Sequence, residues 1–107
     1  MITDTHTHCF PDKLAPRAIG SLSQQLGGYT PYADGTLAGM QKLMHEAGVG
    51  RSVIASIATN AHQMKSVNNF AAECMQNNDD IFGFGSIFPD ADDVMEELER
   101  IKLLGLK

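Results

Sequence analysis

The sequence predicts an α/β protein built on parallel strands, and three observations predict it. Short runs rich in β-branched and apolar residues, at 2–8, 51–56 and 81–88, alternate with longer segments whose apolar residues recur at helical spacing. Each later strand lies beyond a crossover long enough for a right-handed parallel connection. Helix punctuation stands between the strands, with Thr36 before one apolar stripe and Gly48 after it.

Residues 2–8 form the first strand. Strand side chains alternate between two faces, so Asp4, His6 and His8 are expected on one face and Thr3, Thr5 and Thr7 on the other. Phe10-Pro11-Asp12-Lys13 then puts a proline where a helix can begin, and Leu14, Ala18 and Leu22 follow at helical spacing. This predicts a first helix over 12–25, stopped by Gly27-Gly28. Residues 28–35 carry no periodicity and read as a loop, either a plain connection or a substrate lid beside the first strand.

Thr36 caps a second helix whose stripe is Leu37, Met40, Leu43, Met44 and Ala47, ended by Gly48. Met40, Met44 and Met64 are core residues rather than a sulfur-rich site, and His45 falls off the stripe into solvent. The run Val53-Ile54-Ala55 fits a strand buried on both faces. Beyond it, Asn60 or His62 is placed to face the mouth at the strand ends, though His62 reads better as the start of a helix whose stripe is Val67, Phe70, Ala71 and Cys74.

In the third strand, Gly83 and Gly85 share a face that tolerates no bulk, opposite Phe82 and Phe84. Pro89 ends it. Asp90 is the expected cap of a last helix with Asp93 three residues on, and Val94, Leu98, Ile101 and Leu104 form its buried face. The charge run from Asp90 to Arg100 is its solvated face, with acids favoured at the amino end by the helix dipole. Gly105 closes the helix, and Leu106-Lys107 begins a further strand, so the chain reads as cut before its fourth strand.

At 107 residues the chain is a single domain at most, and 43% hydrophobic content suffices for a core. Eight Lys and Arg against thirteen Asp and Glu give a net charge of −5 with the basic residues scattered, which argues against nucleic acid and anionic membranes as partners. Cys9 and Cys74, the only cysteines, form neither a disulfide framework nor a zinc knuckle, and reduced thiols in a cytoplasmic protein are expected. No secretion signal and no apolar run of bilayer length is present, so the protein reads as soluble.

The candidate chemistry lies in the first strand. His6 and His8 are two imidazoles on one face of a segment stiffened by threonines, which makes them half of a divalent metal site. They stand at the carboxyl end of a strand, the usual functional edge of parallel α/β folds. Cys9 turns to the opposite face and is left out of the site.

Three parallel strands with flanking helices suit either a small open sheet or the first part of a (β/α)8 barrel, and the unfinished strand favours the barrel. The opening residues Ile2-Thr3-Asp4-Thr5-His6-Thr7-His8-Cys9-Phe10-Pro11-Asp12-Lys13 resemble the start of the amidohydrolase superfamily, most closely its amidohydrolase-related branch of metal-dependent hydrolases and decarboxylases. Gly48-Val49-Gly50-Arg51-Ser52-Val53 and Phe84-Gly85-Ser86-Ile87-Phe88-Pro89-Asp90 resemble the branch's second and third strand regions. Two departures are Gly50, where an acidic residue is frequent, and Phe88, where the branch often has histidine.

The resemblance implies a divalent metal, commonly zinc, with His6 and His8 as the first-strand ligands. It places the remaining histidines and a proton-accepting aspartate on later strands. The expected reaction is hydrolysis of a small-molecule amide, ester or lactone by a metal-activated water, with decarboxylation, or a non-catalytic half-barrel interaction module, as the alternatives. Two ligands alone imply weak metal binding and poor catalysis, and an uncovered sheet implies self-association into a homo-oligomer.

Overall fold

The structure, a computed structural model, describes residues 1–107. Strands β1 (Ile2–Thr7), β2 (Val49–Ala55) and β3 (Ile81–Phe84) form one parallel sheet in the order β1-β2-β3. Helices α1 (Ala15–Gln25) and α2 (Leu37–Ala47) lie between β1 and β2, α3 (Ala61–Asn77) between β2 and β3, and α4 (Val94–Leu103) follows β3. The predicted α/β class, parallel pairing and element order are all present.

Sequential strand order has a topological consequence. When every right-handed crossover steps the same way across a sheet, all the helices land on one face. Burial records this. Ser52, Ile54, Ile81 and Gly83 are buried, whereas Arg51, Phe82 and Phe84 are exposed. Register partners share a face, and the pairs Ser52 with Ile81 and Ile54 with Gly83 are the helix-covered ones. The run Val53-Ile54-Ala55 is therefore covered on one face, not two: Ile54 is buried while Val53 and Ala55 are half-buried.

Two clusters fill the covered side. Met40 and Met44 of α2 pack with Cys9, Ile54, Cys74 and Ile81, and Ala71 and Ala72 of α3 pack with Ile101 and Leu106. Gly83 is required where α3 and the chain end close on β3, since a Cβ there would lie 2.7 Å from Leu106 Cδ2 and 3.2 Å from the Ala71 carbonyl. The caps of α2 are as expected: Thr36 Oγ1 accepts from the Gly39 amide at 2.9 Å, and Gly48 takes the left-handed conformation at φ 70°.

The first helix begins at Ala15 rather than 12, and three further boundaries differ from the sequence reading. The third strand stops at Phe84 rather than 88, because from Ser86 onward the backbone is held by a side chain: the Ser86 amide donates to Asn68 Oδ1 and its carbonyl accepts from Asn68 Nδ2, at 2.7 and 2.9 Å. The last helix starts at Val94 and Asp90 does not cap it; Asp93 stands at the cap without a capping bond and pairs with Lys65 at 3.0 Å. That ammonium holds the Asp93 carboxyl below the usual range. The second strand starts at Val49, which pairs with Ile2 across an irregularity at Gly50.

The solvated charge run contains an exception, since Glu97 is fully buried. Its carboxylate accepts from Arg100 Nε at 2.9 Å, Arg100 Nη2 at 2.7 Å and Asn68 Nδ2 at 2.8 Å. The Arg100 guanidinium, with Asn68 assisting, pulls the Glu97 pKa below its ordinary value against the opposing effect of burial.

Lys107 bonds to β3 in both directions. Its amide donates to the Gly83 carbonyl at 3.2 Å and its carbonyl accepts from the Gly85 amide at 2.8 Å. Two bonds flanking Phe84 in this way are the unit of a parallel ladder, so Leu106-Lys107 takes the next strand position in sequence order.

Candidate metal centre

The site is built from the strand upward. Between the pairs Asp4–Ser52 and Thr7–Ile54 the register slips, because three steps along β1 match two along β2. This extra residue breaks strict alternation. Asp4 and Thr7 are in register with Ser52 and Ile54 of the helix-covered face, and Asp4, Thr7 and His8 line a cleft of about 320 Å³ with Met40, Met44 and Ser52. Asp4 therefore does not share a face with His6 as the period of two predicts. Its carboxylate reaches forward along the strand instead, and Oδ1 accepts from the His6 amide at 3.1 Å.

His6 and His8, two residues apart beyond the slip, do come together. Their Nε2 atoms are 3.1 Å apart, and the rings meet edge to face with centroids 5.0 Å apart and planes at 72°. His8 Nδ1 is 2.8 Å from the Ala55 carbonyl oxygen. A carbonyl can only accept, so that nitrogen carries the proton and Nε2 of the neutral ring presents its lone pair toward His6. Strand β2 thus fixes both the tautomer and the aim of His8. Thr7 Oγ1, donating to the Val53 carbonyl at 2.8 Å, pins the strand end that carries the pair.

This geometry fits a divalent cation. Zinc–imidazole bonds are about 2.0–2.1 Å, so nitrogens closer together than twice that length can both reach one ion. A ligand histidine whose second nitrogen donates to a backbone carbonyl is the usual arrangement in metal sites, where that outer bond orients the ring and raises its basicity. Both rings are exposed and accessible from solvent. No group of three or more His, Cys, Asp and Glu side chains capable of holding a metal occurs in the chain. The donor set is therefore a pair.

The other residues considered for chemistry fall elsewhere. Asn60 caps α3, its Oδ1 accepting from the Gln63 amide at 3.0 Å, and His62 is exposed in the first turn of that helix. His45 is solvated on α2. Tyr29 and Tyr32 are exposed, and the loop they belong to ends at Gly35, where the Phe10 amide donates to its carbonyl at 2.8 Å. Cys9 is buried in the core as its strand position predicts. The Ala55 carbonyl is the one contributor that no side-chain pattern announces, because it acts through backbone alone.

No protein-family model, curated protein or solved structure matches the chain. No helix is long and apolar enough to cross a membrane.

Proposed function

We propose that the chain supplies the first strands of a (β/α)8 barrel in a metal-dependent hydrolase of the amidohydrolase type, with His6 and His8 as two ligands of its zinc. The observation that carries the reading is the convergence of the two Nε2 atoms to 3.1 Å at the carboxyl end of β1, with the His8 tautomer set by Ala55. Sheet winding supports the barrel. Strands in sequential order, helices on one face and a next strand position beside β3 are how a barrel wall is laid down, whereas a doubly wound sheet reverses order and covers both faces.

Zinc held there would supply a Lewis acid and an activated water at neutral pH. The chain's own residues aim and surround it. Ala55 orients His8, the Asp4 carboxylate steadies the His6 backbone, and Phe82 and Phe84 give the open face an apolar surface against which the unreactive part of a small amide, ester or lactone can pack.

Calorimetric titration of zinc into the chain tests the site. Weak one-to-one binding is expected, lost in both His6→Ala and His8→Ala and retained in His45→Ala. Unchanged stoichiometry in the first two variants would overturn the proposal. At the level of reaction, zinc-dependent turnover of small amides, esters or lactones in the full-length context should disappear with His6→Ala, while the 107-residue chain alone should turn over little.

A further inference from the structure

The cleft of about 320 Å³ bounded by β1, β2 and α2 has a polar feature that the fold does not use. Three hydroxyls line it. Thr7 Oγ1 donates to the Val53 carbonyl, and Thr36 Oγ1 accepts from the Gly39 amide and donates to Asp34 Oδ1 at 2.8 Å. Ser52 is 0% exposed, and its Oγ is the one buried side-chain polar atom of the chain without a hydrogen bond. Buried polar groups are paired as a rule, so a lone hydroxyl in a cleft wall is a point of attachment for a guest. Asp4 is its register partner on β1, one strand spacing away and lining the same cleft. The Asp4 carboxylate is the only one in the lining, which contains no Lys or Arg. Its Oδ1 takes the His6 amide, leaving Oδ2 for another donor. The remaining wall is largely apolar, with Met40, Leu43, Met44 and Val49.

We propose that this cleft binds a small primary alkylammonium ion. The ammonium donates to Asp4 Oδ2 and to Ser52 Oγ, and the alkyl chain packs on Leu43, Val49 and the two methionines. An ammonium has three donors and no acceptor, which matches a carboxylate oxygen and a hydroxyl lone pair side by side. Met40 and Met44 are unbranched and change rotamer readily, so the head can pass between them to the buried hydroxyl. The volume lies at the small end of the range for ligand sites, which limits the guest to a short chain. A carboxylate of the same length is excluded, because it meets Asp4 with like charge. Binding needs no metal and neither histidine Nε2, so it stands apart from the zinc proposal.

Amide NMR of the isotope-labelled chain, titrated with hexylammonium chloride in zinc-free buffer, provides the test. Saturable one-to-one shifts are expected, largest at Thr36, Met40 and Ser52, with none from hexanoate. Asp4→Asn keeps Oδ1 for the His6 amide but loses the charge, and should weaken binding about tenfold. Ser52→Ala removes only the unpaired hydroxyl and should weaken it about fivefold. Absence of saturable shifts, shifts centred on Phe82 and Phe84 of the open face, or equal binding of hexanoate would overturn the proposal. So would either variant binding hexylammonium as the wild type does. Should a variant fail to fold, the place of the wild-type shifts and the comparison of amine with carboxylate decide alone.

Discussion

The two edges of the sheet are built differently. At the β3 edge, Asn68 and Glu97 are fully buried and their network crosses between elements: Asn68 ties α3 to the turn after β3 and to Glu97 of α4, and Arg100, paired with Glu97 within α4, returns to the Lys65 carbonyl of α3. At the β1 edge, every residue of the strand from Ile2 to His6 is exposed, and the side chains of Thr7 and His8 hold the strand end through single bonds to β2 carbonyls. The side chains of Asn68 and Glu97 are buried and hydrogen-bonded. The two imidazoles, by contrast, face solvent and bond to each other. The buried polar network and the proposed site thus lie at opposite edges of a three-stranded sheet.

This contrast is breakable by substitution. The largest effect should come from Glu97→Ala, which leaves the Asn68 amide and Arg100 without their buried partner; a loss of about 3 kcal/mol in urea unfolding is expected, with zinc bound per folded chain unchanged. Glu97 also sets an acid limb. Its folded pKa lies below the ordinary value of 4.5, so its contribution is fully present above that value and drains away as pH falls through the depressed folded pKa. Glu97→Gln should flatten the unfolding-versus-pH curve in that window, and an unaltered curve would contradict the buried pair.

At the other edge, Thr7→Val removes the bond to the Val53 carbonyl that pins the histidine-bearing strand end. Its expected cost is about 1 kcal/mol, felt as an approximately fivefold loss of zinc affinity. A large drop in global stability with affinity intact would reverse the assignment of roles to the two edges. The smallest effect belongs to the exposed pair Lys42–Glu46, 3.9 Å apart on α2, where Lys42→Ala should leave the melting temperature unchanged in a thermal scan.

Much of this molecule was legible in its residues. Helix α2 was readable at both ends because Thr36 and Gly48 have strong local reasons to sit where they do, and the glycine face of β3 followed from alternation alone. The histidine pair was readable for the same reason, since two residues along a strand return to one face. Local rules failed where a distant group intervened. Asp4 was misplaced because the register slip depends on how β1 meets β2, which no period in β1 reveals. Glu97 was assigned to solvent because its burial depends on Asn68 and Arg100 being at hand. The third strand was drawn too long because Asn68, from a different helix, takes over the backbone bonds at Ser86. Cys9 and Cys74 share one buried cluster only through the packing of α3 beneath the sheet.

Winding in one direction also sorts the connections. The segments leaving β1, β2 and β3 emerge on the same rim as the two imidazoles, while the tight returns at Gly48 and at Asp79-Asp80 lie on the opposite rim. Randomising exposed positions such as Ile57 and Thr59 would therefore vary what approaches the histidines while leaving the buried clusters untouched. Such a layout would let the specificity of the proposed site drift, by natural variation or in a selection experiment, at little risk to folding.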